Sequence, residues 1–569
     1  MTKLVLTDNA KTVLKSRYLL RNEKGGITET PEQLFERVAH AIASVEKTAK
    51  AQWDKRFLEL MISRRFMPNS PTLMNAGKKG GQLSACFVLP IADTLKDIFE
   101  TLKDAALIQQ SGGGTGFGFS ELRAKGSRVS SSTMGTAAGP VGFMRVFDAA
   151  TDAVKQGGTR RGANMAILRV DHPDIREFIQ CKRDQTSITN FNISIGVTND
   201  FMRALEIGGF YDLKDPTSGK VIGKASAPEI FKEAIESAWA CGDPGVVFLD
   251  RINFFNPTPK LGDMKSTNPC GEQPLLAYES CNLGSLNLGQ YVAEQKFDWK
   301  LFRDDAHLAV RFLDNVIDAN AYPISETRQI TLKNRKIGLG VMGFADALLL
   351  MGMAYDSIEA MAFGERVMGY LNTEAKKASA DLAKKRGAFP NFKGSLWEKL
   401  GYPKLRNATV TTVAPTGTIS MIAGASSGIE PVFSGVFYRN VLDGARLLDV
   451  HPSVELLLKK HGLKREEITE EQISKHLGSA WKPSSSVSVD AHVRMQAMFQ
   501  RHSDSAVSKT INLSQSATAE DIGKAYRLAY ELGCKGITVY RDQSRGAQVL
   551  ERPKAVPTQT EPGDACPSC

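Results

Sequence analysis

The stretch Asn268-Pro269-Cys270-Gly271-Glu272, followed by a second cysteine at Cys281, brings a thiol, a carboxylate and an amide close together in the chain. Pro269 fixes its own φ and favours extended geometry in the residue before it, and Gly271 permits a sharp turn. The stretch therefore predicts a rigid loop tip that presents Cys270. A thiol beside a carboxylate, with another thiol downstream, indicates redox or radical chemistry. No histidine lies nearby to act as the base of a thiol protease. Taken alone, the pattern also fits a purely structural loop.

Composition limits the class of protein. The chain has 569 residues, of which 42% are hydrophobic and 24% charged, values typical of a globular protein that can hold one large α/β body. The net charge of +10 is spread over 72 basic and 62 acidic residues without a long block of one sign. This distribution favours small anionic ligands, and no basic stripe with interleaved aromatics predicts nucleic-acid binding. Eight unevenly spaced cysteines do not form a secreted disulfide framework.

The location of the protein is predicted from what its segments lack. The N-terminus, Met1 to Leu6, has no signal-peptide core or cleavage site. The most apolar stretch, residues 337–355, carries Asp346 and several glycines, so a buried core segment is favoured over a transmembrane helix. We expect a cytoplasmic protein without membrane association.

Three regions follow from the pattern along the chain. Residues 1–65 show apolar positions at helical spacing and predict an N-terminal helical region. Residues 66–545 are predicted as the main body, since residues 225–320 and 340–390 within it alternate helical stripes with short apolar runs, the pattern of an α/β body. Residues 546–569 are rich in Pro, Thr, Gln, Glu and Lys, which predicts a flexible tail. It ends in Cys566-Pro567-Ser568-Cys569, a dithiol that such a tail could carry into a pocket, although half of a zinc ribbon is an alternative.

Two glycine-rich stretches predict unusual backbone. Ser111 to Gly118 follows a helix that Asp93 or Thr94 can cap, and its spacing does not fit a dinucleotide fingerprint. We interpret it as a turn that allows close backbone approach to a ligand or a neighbouring chain, with a plain tight turn as the alternative. Gln156 to Ala163 places three glycines around two arginines, which suits contacts with phosphates or base edges. A solvated basic turn is the alternative.

A third motif predicts a phosphate site. Val410 to Ala414 is a strand by its β-branched content. It leads into Pro415-Thr416-Gly417-Thr418-Ile419-Ser420, a hydroxyl-rich and glycine-rich turn at a predicted helix start. Backbone N–H groups, hydroxyls and the helix dipole would all favour an anion there.

Taken in order, these pieces resemble the catalytic subunit of ribonucleotide reductases, specifically the adenosylcobalamin-dependent (class II) branch. The resemblance extends over about residues 60–545, and no single motif is specific, but their order is. The motifs that carry it are Asn69-Ser70-Pro71-Thr72, Ser84-Ala85-Cys86, Gly112 to Gly118, Gln156 to Ala163, Asn268 to Glu272, Glu279-Ser280-Cys281-Asn282-Leu283 and Pro415 to Ser420. The resemblance implies an α/β fold, a ten-stranded α/β barrel with the cysteine loop threaded through its centre.

The resemblance also implies catalytic roles. Cys270 resembles the cysteine whose thiyl radical abstracts the 3′ hydrogen of the ribose. Glu272 resembles the base that takes the 3′-hydroxyl proton, and Asn268 the amide that holds the hydroxyls. Cys86 and Cys281 resemble the dithiol that supplies reducing equivalents as the 2′-hydroxyl leaves as water.

Further residues are assigned by the same resemblance. Cys566 and Cys569 would re-reduce the dithiol by exchange, fed by a thioredoxin-type or glutaredoxin-type reductant. The ribonucleotide, with a preference for the diphosphate, would be held by Ser70, Ala85, Cys86, Gly114, Asn268, Pro269, Cys270, Gly271, Glu272, Pro415, Thr416, Gly417, Thr418 and Ile419.

Regulation is implied as well. A deoxynucleotide (dNTP) effector at the interface of a homodimer would select which base is reduced. Asp93, Thr94, Leu95 and Arg123 match effector-binding positions. Gln156, Gly157, Gly158, Thr159, Arg160 and Arg161 match the loop that relays effector identity to the substrate.

The branch of the family is predicted from the C-terminal part. Di-iron (class I) enzymes bring the radical in through two adjacent tyrosines, whereas Thr538-Val539-Tyr540-Arg541 has one. Adenosylcobalamin is therefore the expected cofactor, and a class I-type subunit that needs a separate radical-generating subunit is the alternative. No separate cobalamin module is present, no contact residue for the cofactor is assigned, and no metal-ligand set is predicted. A regulatory protein without chemistry is disfavoured because Asn268, Cys270, Glu272 and both dithiol cysteines are present.

Overall fold

A computed structural model describes residues 3–129, 135–156, 160–441, 445–544 and 550–551. Its helices are α1 Asp8–Arg17, α2 Pro31–Ala43, α3 Lys50–Ile62, α4 Ser70–Asn75, α5 Leu95–Gln110, α6 Gly139–Ala153, α7 Ile175–Gln180, α8 Asn199–Glu206, α9 Ala227–Cys241, α10 Leu249–Phe254, α11 Trp299–Ala319, α12 Ser325–Asn334, α13 Phe344–Met351, α14 Ile358–Arg386, α15 Leu396–Lys399, α16 Gly417–Ala423, α17 Pro452–Lys459, α18 Glu470–Leu477, α19 Val489–Gln500 and α20 Ala519–Glu531.

The strands are short. They are β1 Phe66–Pro68, β2 Cys86–Leu89, β3 Gly114–Gly118, β4 Lys155–Gln156, β5 Arg160–Arg161, β6 Asn164–Arg169, β7 Phe191–Val197, β8 Phe210–Lys214, β9 Val221–Ser226, β10 Gly245–Phe248, β11 Ser266–Thr267, β12 Pro274–Leu275, β13 Ser280–Asn287, β14 Val292–Ala293, β15 Lys296–Phe297, β16 Ile337–Met342, β17 Val436–Val441, β18 Ala445–Val450, β19 Thr510–Leu513, β20 Gly536–Arg541 and β21 Leu550–Glu551.

The central sheet has two parallel halves. Strands β2, β3, β6, β7 and β10 are mutually parallel neighbours. Strands β13 and β16 are parallel on the other side, as are β19 and β20. The halves meet in antiparallel pairs, β10 with β20 and β2 with β13. Helices that connect parallel strands must cover the outer face, which fits the α/β class.

Backbone hydrogen bonds join the two ends of this sheet. Leu339 donates to the carbonyl of Val410 at 2.8 Å, and Val413 donates to the carbonyl of Ala506 at 3.2 Å. Both contacts belong to parallel bridges, Leu339 with Thr411 and Val413 with Val507. The 10-stranded sheet of the described residues includes β1, which lies beside the ring on β13. Residues 409–413 close the ring between β16 and β19, so the ring without β1 also has 10 strands. The predicted α/β barrel is confirmed.

Two hydrophobic cores surround the barrel. One joins α2, α3, α11 and α14 to β13 and β16, with Phe35, Phe57 and Phe302 fully buried. The other joins α5, α6, α9 and α20 to the opposite half, with Phe117 and Phe147 in edge contact. Burial of these aromatic and aliphatic side chains is the main force that holds the helices to the barrel.

Local signals explain several boundaries. Thr94 accepts a hydrogen bond from the Asp97 N–H and begins α5, as the sequence predicts. The helical pattern before residue 65 corresponds to α1, α2 and α3, and α2 has a reciprocal capping box between Thr30 and Gln33. Residues 337–351 form the buried strand β16 and helix α13. Within the described ranges, no helix has the length and apolar content needed to cross a membrane.

The glycine-rich run before Gly118 differs from the prediction. It was expected to be a turn, but Gly114–Gly118 is a strand of the barrel. Glycines alternate with Thr115 and Phe117 along it, so the strand has side chains on one face and bare backbone on the other. Every second residue of this strand is a glycine, so the alternation lacks the bulky side chains that are typical of strands. For that reason the sequence does not resemble a strand.

Candidate functional site

The loop at residues 268–273 is the tip of a hairpin inside the barrel. Strands β11 and β12 pair antiparallel, and the loop between them is closed by three hydrogen bonds. The Asn268 N–H donates to the Gln273 carbonyl at 3.1 Å, and the Gln273 N–H donates to Asn268 Oδ1 at 2.9 Å. The Gly271 N–H donates to the Asn268 carbonyl at 3.0 Å, and Gly271 has a φ of +83°, which favours glycine. The tip is rigid, as predicted, and Cys270 is exposed on it.

Glycines of the barrel wall make room for this hairpin. A Cβ on Gly116 would lie 1.7 Å from the Thr267 carbonyl oxygen, and one on Gly114 would lie 2.9 Å from Pro269 Cγ. A Cβ on Gly118 would lie 3.1 Å from the Lys265 carbonyl oxygen. All three glycines of β3 therefore face the hairpin, Gly116 and Gly118 toward its backbone carbonyls and Gly114 toward the Pro269 ring. The sequence predicts a close approach of this backbone to a ligand or a neighbouring chain, whereas the approach in the structure is to this chain's own loop that carries Cys270.

The dithiol cysteines lie on neighbouring strands. Cys281 of β13 is directly opposite Cys86 of β2 in an antiparallel pair. Directly opposite residues have Cα atoms about 4.5–5.5 Å apart, within the roughly 4.4–6.8 Å that a disulfide spans. Asn268 Nδ2 donates to Cys86 Sγ at 3.2 Å and so joins the loop tip to this pair. Burial raises the pKa of Cys281 well above its usual value, so this thiol holds its proton in the resting site.

Glu272 is a buried carboxyl group with unused hydrogen-bonding capacity. It is 2% exposed, and no group among the described residues bonds its Oε2. Desolvation by burial raises its pKa to about 7, although a hydrogen bond with Asn268 opposes the shift. A carboxyl that titrates near neutral pH can accept and return a proton.

Three hydrogen bonds to the loop come from residues that the sequence did not single out. Asn192 Nδ2, on β7, donates to the Pro269 carbonyl at 2.7 Å, next to Cys270. Thr412 Oγ1 and the Ala506 N–H both donate to the Glu272 carbonyl, at 3.0 and 2.8 Å. The available signal was weak: Asn192 is a polar residue in an apolar strand, and Thr412 lies in the predicted strand before the phosphate motif.

The predicted phosphate motif lies at the end of that strand. Residues 409–413 complete the barrel, and α16 begins at Gly417 after Thr416, whose φ is +53°. Thr416 Oγ1 accepts a hydrogen bond from the Gly428 N–H at 2.7 Å, which fixes the turn. Pro415 and Cys270 line the same cleft of about 440 Å³. Pro415 and Gly417 are exposed, Thr418 is half-buried and Ile419 is buried.

The other predicted substrate residues lie around strands β2 and β13, which carry Cys86 and Cys281. Ser70 begins α4, and its hydroxyl is 2.8 Å from the Tyr18 hydroxyl. The preceding Asn69 N–H donates to the Leu283 carbonyl of β13. The Ala85 N–H donates to the Cys281 carbonyl at 3.1 Å, and the Ala85 carbonyl accepts from the Gly114 N–H at 2.9 Å. Ala85 and Gly114 are thus beside the cysteine pair.

The predicted effector residues form a separate group at the start of α5. Arg123 Nε donates to Asp93 Oδ2 at 2.7 Å, and its Nη1 donates to the carbonyls of residues 128 and 129. Thr94 caps α5, and Leu95 is 64% exposed. Strands β4 and β5 pair Lys155 with Arg161 and Gln156 with Arg160. The side chains of residues 155–161 and all of Gly157, Gly158 and Thr159 lie outside the described part, as do Cys566 and Cys569.

The cleft around Cys270 continues along one rim of the barrel. Phe433, Thr510 and Asn512 line both this cleft and an adjoining one of about 220 Å³. Tyr540, the single tyrosine of the C-terminal motif, lines the cleft with Cys270. Among the described residues, no group of three or more His, Cys, Asp or Glu is arranged to hold a metal ion.

Comparison with known proteins identifies the family. Residues 84–540 match the ribonucleotide reductase barrel domain, and residues 4–81 match the ribonucleotide reductase all-alpha domain. The chain is 48% identical to a vitamin B12-dependent ribonucleoside-diphosphate reductase of Thermoplasma acidophilum, over 96% of this chain and 80% of that protein. It is 45% identical to a protein of the same description from Mycobacterium tuberculosis, over 99% of this chain and 84% of that one. A Chlamydia pneumoniae ribonucleoside-diphosphate reductase subunit alpha is 28% identical, over 95% of this chain and 59% of that protein. On this evidence, the chain belongs to the ribonucleotide reductase family.

Proposed function

We propose that the chain reduces ribonucleoside diphosphates to 2′-deoxyribonucleoside diphosphates by a thiyl-radical mechanism that depends on adenosylcobalamin. The observation that carries the proposal is the hairpin tip. It holds Cys270, Glu272 and Asn268 within one tight loop and joins that loop to the Cys86–Cys281 pair through a hydrogen bond of 3.2 Å. The relatives that are 45–48% identical are described as vitamin B12-dependent, which favours this branch over the class I alternative.

The chemistry assigned to the residues balances. The Cys270 thiyl radical takes the 3′ hydrogen atom of the ribose, and Glu272 accepts the 3′-hydroxyl proton while Asn268 holds the hydroxyls. The 2′-hydroxyl leaves as water. Cys86 and Cys281 together give two electrons and two protons and close to a disulfide. The 3′ position then recovers a hydrogen atom from Cys270, Glu272 returns the proton to the 3′ oxygen, and the thiyl radical is restored.

Burial suits Glu272 to this role. Its pKa of about 7 places the protonated and ionised forms close in free energy at neutral pH. The Thr412 hydroxyl and the Ala506 N–H donate hydrogen bonds to the Glu272 carbonyl and hold its backbone. The carboxyl therefore does not have to be ordered when substrate binds. The unused Oε2 is available to a ribose hydroxyl.

Adenosylcobalamin supplies an organic radical by homolysis of its cobalt–carbon bond. The described rim offers side chains that fit its amide-rich periphery: Asn512, Thr510 and Ser427 supply polar groups, and Phe433 supplies an apolar face. These residues adjoin the cleft that Cys270 lines. We therefore propose that these residues would hold the cofactor, which would supply the radical to Cys270.

The substrate phosphates are assigned to the turn at Pro415, Thr416, Gly417, Thr418 and Ile419. The exposed backbone of Gly417 at a helix start and the half-buried Thr418 hydroxyl provide hydrogen-bond donors. Pro415 lines the cleft with Cys270, so this turn and the loop tip can contact two ends of one nucleotide. The diphosphate is preferred because the similar proteins are described as diphosphate reductases.

The proposal includes a homodimer with a dNTP effector. Helices α5 and α6 pack together and leave large apolar side chains exposed, including Phe99 at 52% and Leu107 at 41%. A second copy of the chain would cover this surface next to Asp93, Thr94, Leu95 and Arg123. The proposal also assigns Cys566 and Cys569 to exchange with a thioredoxin-like reductant, and places the protein in the cytoplasm.

The test uses the purified chain as the only protein, with CDP or ADP, a dithiol reductant and adenosylcobalamin. Formation of the deoxynucleotide, altered by added dNTPs, is the expected result. A Cys270→Ser variant that binds cobalamin but forms no product is the control. Product only after addition of a di-iron radical subunit would contradict the cobalamin assignment.

A further inference from the structure

A buried network of polar side chains lies between the proposed effector site and the catalytic loop. Gln109 Nε2, at the end of α5, donates to Asn164 Oδ1 at 2.8 Å and to Thr115 Oγ1 at 3.1 Å. Thr115 Oγ1 donates to the same Asn164 oxygen at 2.7 Å. Asn164 Nδ2 donates to Thr151 Oγ1 at 2.9 Å, and Thr151 donates to the Phe147 carbonyl at 2.7 Å. None of the four side chains is more than 5% exposed.

The network ties four elements to one arrangement. Gln109 and Thr151 come from α5 and α6, and Thr115 and Asn164 come from β3 and β6. The hydrogen bonds of Gln109 join α5 to both strands, and the bond from Asn164 to Thr151 joins β6 to α6, so a shift of either helix breaks a buried hydrogen bond. Buried hydrogen bonds of this kind are costly to leave unmade. The helices and the barrel wall therefore move together or exchange between discrete arrangements.

The hairpin β4–β5, which we call the relay hairpin, adjoins this network at Gly162. It begins just after Thr151 in the chain, and its far end is Gly162. A Cβ on Gly162 would lie 2.7 Å from Thr151 Cγ2 and 3.0 Å from Gln109 Cδ. The next residue, Ala163, accepts a hydrogen bond from the Thr115 N–H at 3.1 Å.

The network also adjoins the loop that carries Cys270, through the glycines on either side of Thr115. Thr115 lies between Gly114 and Gly116, and those glycines face Pro269 and the Thr267 carbonyl at distances that leave no room for a methyl group. The opposite end of α5 begins beside Asp93 and Thr94. One continuous set of packed groups thus runs from the effector residues through α5 to the hairpin and to the loop that carries Cys270.

We infer that Gln109, Thr115, Asn164 and Thr151 are positioning residues, and that a nucleotide at the Asp93–Arg123 site changes substrate preference through them. Binding that shifts α5 against α6 changes which network geometry is favoured, and the hairpin follows because Gly162 rests on it. This inference rests on the proposed function, since it requires both an effector and a choice of substrate. The coupling acts between binding sites and leaves the radical chemistry to Cys270 and Glu272.

The test is Thr151→Val, which keeps the side-chain volume and removes the acceptor of Asn164 Nδ2. In the unaltered chain, the effector should change the ratio of CDP to ADP reduction by roughly 5–150-fold, the span typical of coupled sites. In Thr151→Val, the ratio should change by less than about 3-fold, while the dNTP dissociation constant and turnover without effector stay within about 3-fold. Thr151→Ser, which keeps the hydroxyl, should restore the response.

A second network variant and a matched control complete the test. Gln109→Met removes the other helix's donor and should give the same loss of response if Thr151→Val does not fold. Ser237→Ala is the matched control, because Ser237 is a buried hydroxyl on α9 that donates to the Ile179 carbonyl at 2.8 Å, outside the network. It should keep the full effector response.

The outcomes separate this inference from the proposed function. A full effector response in both Thr151→Val and Gln109→Met would overturn the inference while leaving the proposed function intact. Loss of dNTP binding together with the response would also overturn it, because the network would then belong to the effector site itself. Deoxynucleotide formation by the unaltered chain with no effect of any dNTP would overturn the inference and the proposed effector site, but not the reductase activity.

Discussion

Two short hairpins belong to the same barrel body, and they differ in where the glycines next to them lie in the chain. In the hairpin β11–β12, Gly271 turns the tip, and the other glycines belong to the neighbouring strand β3, where they allow the hairpin to pack against bare backbone. The stretch of sequence around β4 and β5 has glycines of its own, Gly157, Gly158 and Gly162. A glycine in a neighbouring strand leaves room for a hairpin and holds that hairpin in one position. A glycine within a loop allows the loop more backbone conformations. We therefore assign catalysis to the first hairpin and selection to the second.

The largest expected effect is at the tip of the first hairpin. Cys270→Ser should lower turnover by more than about 10⁴-fold, because the O–H bond of serine is much stronger than the S–H bond of cysteine and does not yield the radical. Cobalamin binding, followed by its absorption spectrum, should be unchanged, since one sulfur is replaced by oxygen at an exposed position. Full turnover by this variant would refute the role of the hairpin tip in the chemistry.

Glu272→Gln should have the next largest effect. It should reduce kcat by roughly 10²–10⁴-fold, the usual contribution of a general acid–base group. In the unaltered chain, activity should rise with pH through about 7, because burial raises the Glu272 pKa to about 7 and only the ionised form accepts the proton. The measurement is kcat from pH 6 to pH 8.5 for both proteins.

The variant should show no such rise on the acid side. If Glu272→Gln kept the same acid limb, another group would be responsible for it. Glu272→Asp is the companion variant, because it keeps a carboxyl group but moves it back from the ribose.

Gly116→Ala tests the first half of the comparison directly. The added methyl would lie 1.7 Å from the Thr267 carbonyl oxygen, and that backbone cannot move without displacing the catalytic hairpin. We expect a loss of about 1–3 kcal/mol in the free energy of unfolding, as for other overpacked sites, together with a large loss of turnover.

The matched control is Gly223→Ala, which adds the same methyl to a strand position with no atom within 4 Å. Its free energy of unfolding should change by no more than about 0.5 kcal/mol. Denaturant unfolding of the two variants, compared with the unaltered chain, measures the difference. Equal stability of both variants would mean that the glycine face of β3 does not constrain the hairpin.

Local patterns in the sequence were enough for many elements and for the tip of the first hairpin. The runs Cys86–Leu89 and Gly536–Arg541 are compact stretches with strand-forming residues, and both are strands in the structure. Cys270, Glu272 and Asn268 are close in sequence, so their proximity did not depend on the fold. Residues 410–414 were predicted as a strand, and 409–413 complete the barrel.

Features created by tertiary contacts were not predictable in the same way. Strand β3 was taken for a turn because its glycines have a purpose only when the hairpin lies against them. Asn192 was missed because its bond to Pro269 joins residues far apart in the chain. The polar network of Gln109, Thr115, Asn164 and Thr151 is invisible in sequence for the same reason, since four ordinary polar residues come from four separate elements.

Gly162→Ala is the smallest and most discriminating change, because it tests the second hairpin with the same added methyl. Here the methyl would meet side-chain atoms, Thr151 Cγ2 at 2.7 Å and Gln109 Cδ at 3.0 Å, instead of a backbone carbonyl. Side chains can shift by rotation, so the loss of stability should be about 1 kcal/mol or less, at the low end for overpacked sites. Turnover without effector should stay within about 2-fold, whereas the change in substrate ratio on addition of a dNTP should shrink, as for other changes in coupled sites. A loss of stability and turnover as large as that of Gly116→Ala would show that both hairpins are fixed in the same way, and the division between catalysis and selection would have to be abandoned.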